Sequence, residues 1–142
     1  MRKVGQILQG KGDHVVSVAP DSPVLEAIRL MAEHHIGAVL VMQGQDLIGI
    51  ASERDYARKV ILQGRSSADT PIASIMSAPV TCVSPQETVP QCMALMTERH
   101  IRHLPVVESG RVVGIVSIGD LVKDVIADQE QEISFLQQFI AS

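Results

Sequence analysis

The chain has 142 residues, 46% of them apolar and only 2% aromatic, with a formal net charge of −4. That is enough apolar material for one compact domain or two small halves, with a core of Leu, Ile, Val, Met and Ala rather than rings. A net-negative chain without an aromatic cluster is a poor match for nucleic acid or an anionic membrane surface, and no apolar run reaches membrane-spanning length. The N-terminus lacks the apolar stretch of a signal peptide, so a cytoplasmic location is expected. Cys82 and Cys92 then read as reduced core residues.

In chain order, Val4–Leu8 is a short apolar segment of helical character. Val15-Val16-Ser17-Val18 reads as a strand and Ala19-Pro20-Asp21-Ser22 as a turn. Val24, Ala27, Ile28, Met31 and Ala32 then recur at three-and-four spacing, which predicts an amphipathic helix with Pro23 at its first position. Ala38–Met42 and Leu47–Ala51 are strand-like, joined by Gln43-Gly44-Gln45-Asp46 as a hairpin with glycine in its turn. A helix starts near Glu53, and Gly64–Pro71 is polar linker. The order then returns. Ile72–Met76 is a second short helical segment and Val80-Thr81-Cys82-Val83 a second strand. Val89, Cys92, Met93 and Met96 mark a helix with Pro90 in its first turn, and His103–Val107 and Val112–Val116 form a hairpin around Ser109-Gly110. A last helix starts near Ile118.

This return is a duplication. One offset of 65 residues lays Val15–Ile61 on Val80–Ile126 without a gap and with 16 identities. Each unit is β-α-β-β-α, so the fold class is α/β (α+β), two tandem units expected to be related by a pseudo-twofold axis. A duplicated unit packed on itself creates a cleft, where small ligands sit. The expected division is a first unit with its N-terminal segment (1–64), a linker (65–71), a second unit (72–127) and an amphipathic helical tail (128–142). Ile133, Leu136, Phe139 and Ile140 form a stripe on that tail that must cover the module or another chain, which predicts a homodimer.

Both units carry one signature where the hairpin ends and the last helix begins. It reads Gly49-Ile50-Ala51-Ser52-Glu53-Arg54-Asp55 and then Gly114-Ile115-Val116-Ser117-Ile118-Gly119-Asp120. On spacing alone, Ser-x-x-Asp at a helix start is a capping arrangement. The same geometry also suits a nucleotide: a helix N-terminus and a serine hydroxyl for phosphate, and a carboxylate one turn in for both hydroxyls of a ribose.

With these signatures, the His100-Ile101-Arg102-His103-Leu104-Pro105-Val106-Val107 run and the opening segments of each unit, the twin units resemble CBS domains. The whole chain is similar to a minimal bacterial CBS pair, or Bateman module, over about residues 4–126. The resemblance implies a non-enzymatic regulatory module that binds an adenosine-containing ligand between the units: AMP or NAD first, ADP or ATP next, S-adenosylmethionine as an alternative. A regulated partner, not identified by the sequence, would read the occupancy. By the same resemblance Asp120 holds ribose and Ser117 phosphate, with Gly119 between them, and the base lies against Lys11, Gly12, Val15 and Val16 and against Ile36-Gly37-Ala38. The symmetric site takes Asp55, Ser52 and Arg54, with Ser77, Pro79, Val80, Thr81 and Ile101 around the base. Arg102 and His103 stand where the family places phosphate contacts. The first unit has Gly37 and Ala38 there, so the two sites are expected to differ, with the Asp120 site the better.

Other constellations are weaker. His100-x-x-His103 has metal-like spacing, but no carboxylate or cysteine accompanies it, and His35 and His100 end equivalent helices; no metal is expected. Arg54, Arg58, Lys59 and Arg65 read equally as a solvated face or as contacts to extended phosphates. There is no activated nucleophile, paired acid and base or phosphate-cradling glycine loop, so an enzyme is not expected. A dimerisation module without ligand, keeping Ser52, Asp55, Ser117 and Asp120 as caps only, is the remaining rival.

Overall fold

The computed structural model describes residues 2–11 and 14–141. The chain divides into two compact units, one formed by His14–Thr81 and the other by Met1–Asp13 together with Cys82–Ser142. They are called the Asp55 unit and the Asp120 unit below. This grouping departs from the expected boundaries, because each short leading segment completes the other unit. The N-terminal segment packs with the second repeat, and Ile72–Met76 stays with the first.

In the Asp55 unit, β1 (Ser17–Val18) runs parallel to β2 (Ala38–Gln43), which pairs antiparallel with β3 (Asp46–Ser52). Helix α2 (Val24–His34) lays Val24, Ala27 and Met31 into a core with Val39, Val41, Ala51, Ile72 and Ile75. Pro23 stands just before α2 rather than at its first position, and it offers no side-chain cap. Linker carbonyls replace that cap: Val24 N–H donates to Thr70 O at 2.8 Å and Leu25 N–H to Ser67 O at 3.0 Å. The expected last helix is short. Helix α3 (Glu53–Tyr56) widens at once into a π turn over Ala57–Ile61.

In the Asp120 unit, α4 (Val89–Arg99), β4 (His103–Glu108), β5 (Arg111–Ser117) and α5 (Ile118–Ala141) repeat the plan, and α1 (Val4–Lys11) packs on β5. The segment exchange is the same in both units. Ile72 N–H donates to Ser22 O and Ala73 N–H to Pro20 O; Val4 N–H donates to Glu87 O and Gly5 N–H to Pro85 O. Each segment also seats an apolar side chain on a strand glycine. A Cβ on Gly114 would stand 2.7 Å from Leu8 Cδ2, and one on Gly49 would fall inside the sulfur of Met76. Glycine is needed at both places for this close approach.

Four expectations are corrected. The second predicted strand, Val80–Val83, shrinks to one parallel bridge, Val83 with Val106. The reason is Pro105, which stands where Leu40 stands in the first repeat. Leu40 N–H donates to Val16 O at 3.1 Å, and a proline has no N–H for the matching bond. The first predicted strand is likewise confined to Ser17–Val18. Cys92 is buried, its thiol pushed up to about 11 by burial and by Glu87, but Cys82 is exposed. Alternation along the chain turns Val83 inward and Cys82 outward, as with Val18 and Ser17. The tail, finally, is the continuation of α5, a single helix of 24 residues whose described residues from Ile126 onward are all exposed.

Candidate functional site

Strand β5 delivers Ser117 to the first turn of α5. There Ser117 N–H donates to Asp120 Oδ2 at 2.8 Å and Asp120 N–H donates to Ser117 Oγ at 3.2 Å. The first repeat builds the same reciprocal cap: Ser52 N–H to Asp55 Oδ2 at 2.9 Å, Asp55 N–H to Ser52 Oγ at 3.1 Å. Capping is therefore realised at both signatures. It satisfies backbone donors that a helix start leaves open.

The two carboxylates differ in the cation they hold. Asp120 accepts from Lys11 Nζ at 2.6 Å, and the same ammonium donates to Ile115 O at 2.9 Å. Asp55 pairs at 3.2 Å with Lys59, one turn along its own helical segment, and Lys59 also donates to Ile75 O at 2.9 Å. Burial alone would raise Asp120, but the hydrogen bonds from Lys11 and Ser117 outweigh it and hold the carboxyl below its ordinary range. His103, half-buried at the start of β4, is lowered by burial, then by Lys11; Asp120 opposes this and Arg102 adds to it. Burial and the neighbouring cations Lys11 and Arg102 thus disfavour the charged form of this imidazole.

The backbone explains where position 102 falls. Ile118 N–H donates to Arg102 O at 2.9 Å, as Glu53 N–H donates to Gly37 O at 3.0 Å. Both tie the start of the hairpin to the start of the following helix. The Arg102 side chain is exposed, while its counterpart Gly37 has none. Where a Cβ on Gly119 would stand, its one close neighbour is Ser117 Oγ at 3.6 Å, so the first turn of α5 is open there.

Within the Asp120 unit the structure therefore brings together Lys11, Arg102, His103, Ser117, Gly119 and Asp120. Ile101 is half-buried and packs on that unit's core. Within the Asp55 unit Ser77 is pinned to β3 by two bonds with Ile50, of 3.1 and 2.8 Å. Val16 and Ile36 pack on that core, Ala38 is buried, Arg54 is exposed in the first turn of α3, and Val15, Gly37, Pro79, Val80 and Thr81 lie at or near the surface. Gly12 falls outside the described residues. Sequence reasoning missed Lys59 as the partner of Asp55, although the four-residue spacing was there to find. It also missed Arg2, whose Nε meets Asp124 Oδ1 at 2.7 Å. A groove of about 590 Å³ on the Asp120 unit, lined by Lys3, Gln6, Gln86, Glu108 and neighbours, contains none of the expected residues. Among the described residues no group of three or more His, Cys, Asp or Glu could hold a metal ion, and no helix is long and apolar enough to cross a membrane.

The family pattern described as CBS domain matches residues 4–61 and again 72–127. The chain belongs to the CBS-domain family. It carries two CBS domains in tandem, with the mixed α+β architecture described above. Among related sequences, the mitochondrial CBS domain-containing protein CBSX3 of Arabidopsis thaliana is 40% identical over 125 residues, 84% of this CBS pair and 61% of the plant protein. This chain thus spans less than two thirds of that relative. The CBS domain-containing protein YhcV of Bacillus subtilis is 36% identical over 107 residues, 75% of this chain and 76% of the relative. Among solved structures, a candidate signal-transduction protein with CBS domains from Burkholderia ambifaria superposes with a TM-score of 0.86 at 52% identity, covering 89% of this chain and 96% of the other. A hexameric CBS-CP12 protein from bloom-forming cyanobacteria reaches 0.78 at 25% identity, covering 86% and 70%.

Proposed function

We propose that this CBS pair is a regulatory module without catalytic activity that binds an adenine nucleotide, AMP or NAD before ADP or ATP, and passes its occupancy to a partner protein. One observation carries the reading. Asp120, a half-buried carboxylate at the start of a long helix, stands in one cluster with Lys11, Arg102 and His103. A carboxylate accepts two ribose hydroxyls, and cations with open helix N–H groups receive phosphate. The similarity to the candidate signal-transduction protein of Burkholderia ambifaria supports a regulatory role. The hexameric cyanobacterial relative supports self-association, and a homodimer is the smallest such assembly. The site works in the cytoplasm on a diffusible nucleotide.

Titration calorimetry with AMP, NAD, ATP, S-adenosylmethionine and adenosine tests the reading. Binding of at least one adenine nucleotide is expected, weakened in Asp120→Ala. Arg102→Ala should weaken AMP more than adenosine, because the first repeat has glycine in that place. A second reading has an observation of its own. Both Ser-Asp pairs satisfy each other as reciprocal helix caps, which favours a purely structural module. Failure of every adenosine compound to bind would decide for it.

A further inference from the structure

Helix α1 is held to α5 by an ion pair at each of its ends. Arg2, two residues before its start, meets Asp124 at 2.7 Å, and Lys11, its last residue, meets Asp120 at 2.6 Å. The two aspartates lie one turn apart on α5. The first repeat needs no such help: position 59, the counterpart of Asp124, is Lys59, which neutralises Asp55 from its own helical segment at 3.2 Å. In the second repeat that lysine has become an aspartate. Two like charges at this spacing repel, and both cations that relieve them come from the N-terminal segment.

We infer that Lys11 is an internal occupant of the ribose-binding carboxylate, and that ligand binding exchanges its partner from Asp120 to the ligand's phosphate, freeing the last turn of α1. The inference rests on the proposed nucleotide reading. The same Asp120 Oδ2 that Lys11 holds also takes the Ser117 N–H, so hydroxyl donors arriving at that oxygen compete with the ammonium. A neutral nucleoside breaks the ion pair and leaves the ammonium without an anion. A nucleotide breaks it and supplies one. Lys11 thereby selects ligands that carry both a vicinal diol and a phosphate. The release stays local, because Val4, Ile7 and Leu8 are buried and Arg2 remains paired with Asp124. Side-chain exposures of 35% for Lys11 and 20% for Asp120 leave the pair within reach of solvent and therefore of a ligand.

The test uses the full chain, its Lys11→Met variant (which keeps the apolar stem) and Asp120→Asn, with AMP and adenosine as probes. In titration calorimetry, Lys11→Met should bind adenosine about tenfold more tightly than the wild type and AMP more weakly, collapsing the preference for the phosphate. Hydrogen exchange followed by mass spectrometry should show faster exchange at the end of α1 in wild type with AMP, and in Asp120→Asn without any ligand. Binding with an unchanged adenosine affinity in Lys11→Met, or exchange in α1 that neither AMP nor Asp120→Asn alters, overturns the exchange of partners while leaving the nucleotide reading intact. Binding of neither probe to wild type or Lys11→Met overturns the selection by Lys11, and the nucleotide reading falls with it when NAD, ATP and S-adenosylmethionine also fail to bind.

Discussion

Folding lowers both Asp120 and His103, which stand at neighbouring positions, and each leaves a separate trace in the stability of the fold. The folded Asp120 carboxyl lies below its ordinary range, so its contribution is fully present above that range and is lost as pH falls through the folded value. Asp120→Asn keeps an oxygen to cap the Ser117 N–H but cannot ionise. Denaturant melts against pH should therefore show a shallower acid loss in the variant than in wild type. His103 is lowered on folding, so the unfolded chain takes up a proton that the folded one resists. Stability should fall as the pH drops below about 6.5, the ordinary imidazole value, and His103→Asn should remove that slope. At neutral pH, Asp120→Ala should cost about 0.3–1 kcal/mol of stability as a lost helix-terminus charge and, on the proposed function, weaken AMP by about 1.5–3 kcal/mol per charged hydrogen bond removed. An unchanged AMP affinity in calorimetry would leave Asp120 as a cap alone.

Exchange of the short leading segments makes each hairpin depend on a distant stretch of chain. Leu8 on Gly114 and Met76 on Gly49 are the close contacts of that dependence. Gly114→Ala should destabilise by about 1–3 kcal/mol, as an overpacked site does, and Leu8→Ala added to it should recover part of the loss. Additive costs in urea melts would mean that the strand and α1 are not in register through this pair. Pro105 offers a second test at this scale. Pro105→Leu restores an N–H to β4, so a slowly exchanging amide should appear at position 105 in a hydrogen-exchange spectrum, matching Leu40 in the first repeat. Rapid exchange there would show that something other than the missing donor keeps residues 80–82 out of the sheet.

At the scale of the whole molecule, the end of α5 exposes a run of large apolar side chains. Ile126, Ile133, Leu136 and Ile140 are 49%, 55%, 50% and 82% exposed, and their spacing of seven, three and four places them on one stripe of the helix. Covering a large apolar side chain stabilises by roughly 1.5–3 kcal/mol when it is complete. On the proposed homodimer and nucleotide reading, deleting residues 129–142 should lower the dimer fraction in analytical ultracentrifugation at micromolar concentration and barely change nucleotide affinity. A truncated chain that remains fully dimeric would move the contact to another face. One that stays dimeric but no longer binds nucleotide would join the tail to the site.

The duplication, the paired helices, the glycine hairpins and the twin Ser-Asp caps were all legible in the residues, because each is set by a repeat of the sequence, by local periodicity or by spacing of three or four along the chain. Ser109 and Gly110, both at positive φ, turn where the Ser-Gly pair said they would. What the spacing could not supply were partners far apart in sequence. Nothing in Val4–Leu8 says that it serves the second repeat, since the alternatives differ only in which hairpin presents a glycine to Leu8. The cation on Asp120 was equally hidden: Lys11 lies 109 residues away, whereas Lys59 sits within one turn of Asp55. Pro105 was visible as a substitution, but its effect on the neighbouring strand required the parallel pairing to be known. Local rules fix which elements form, and long-range packing and charge pairing settle which of them share a core.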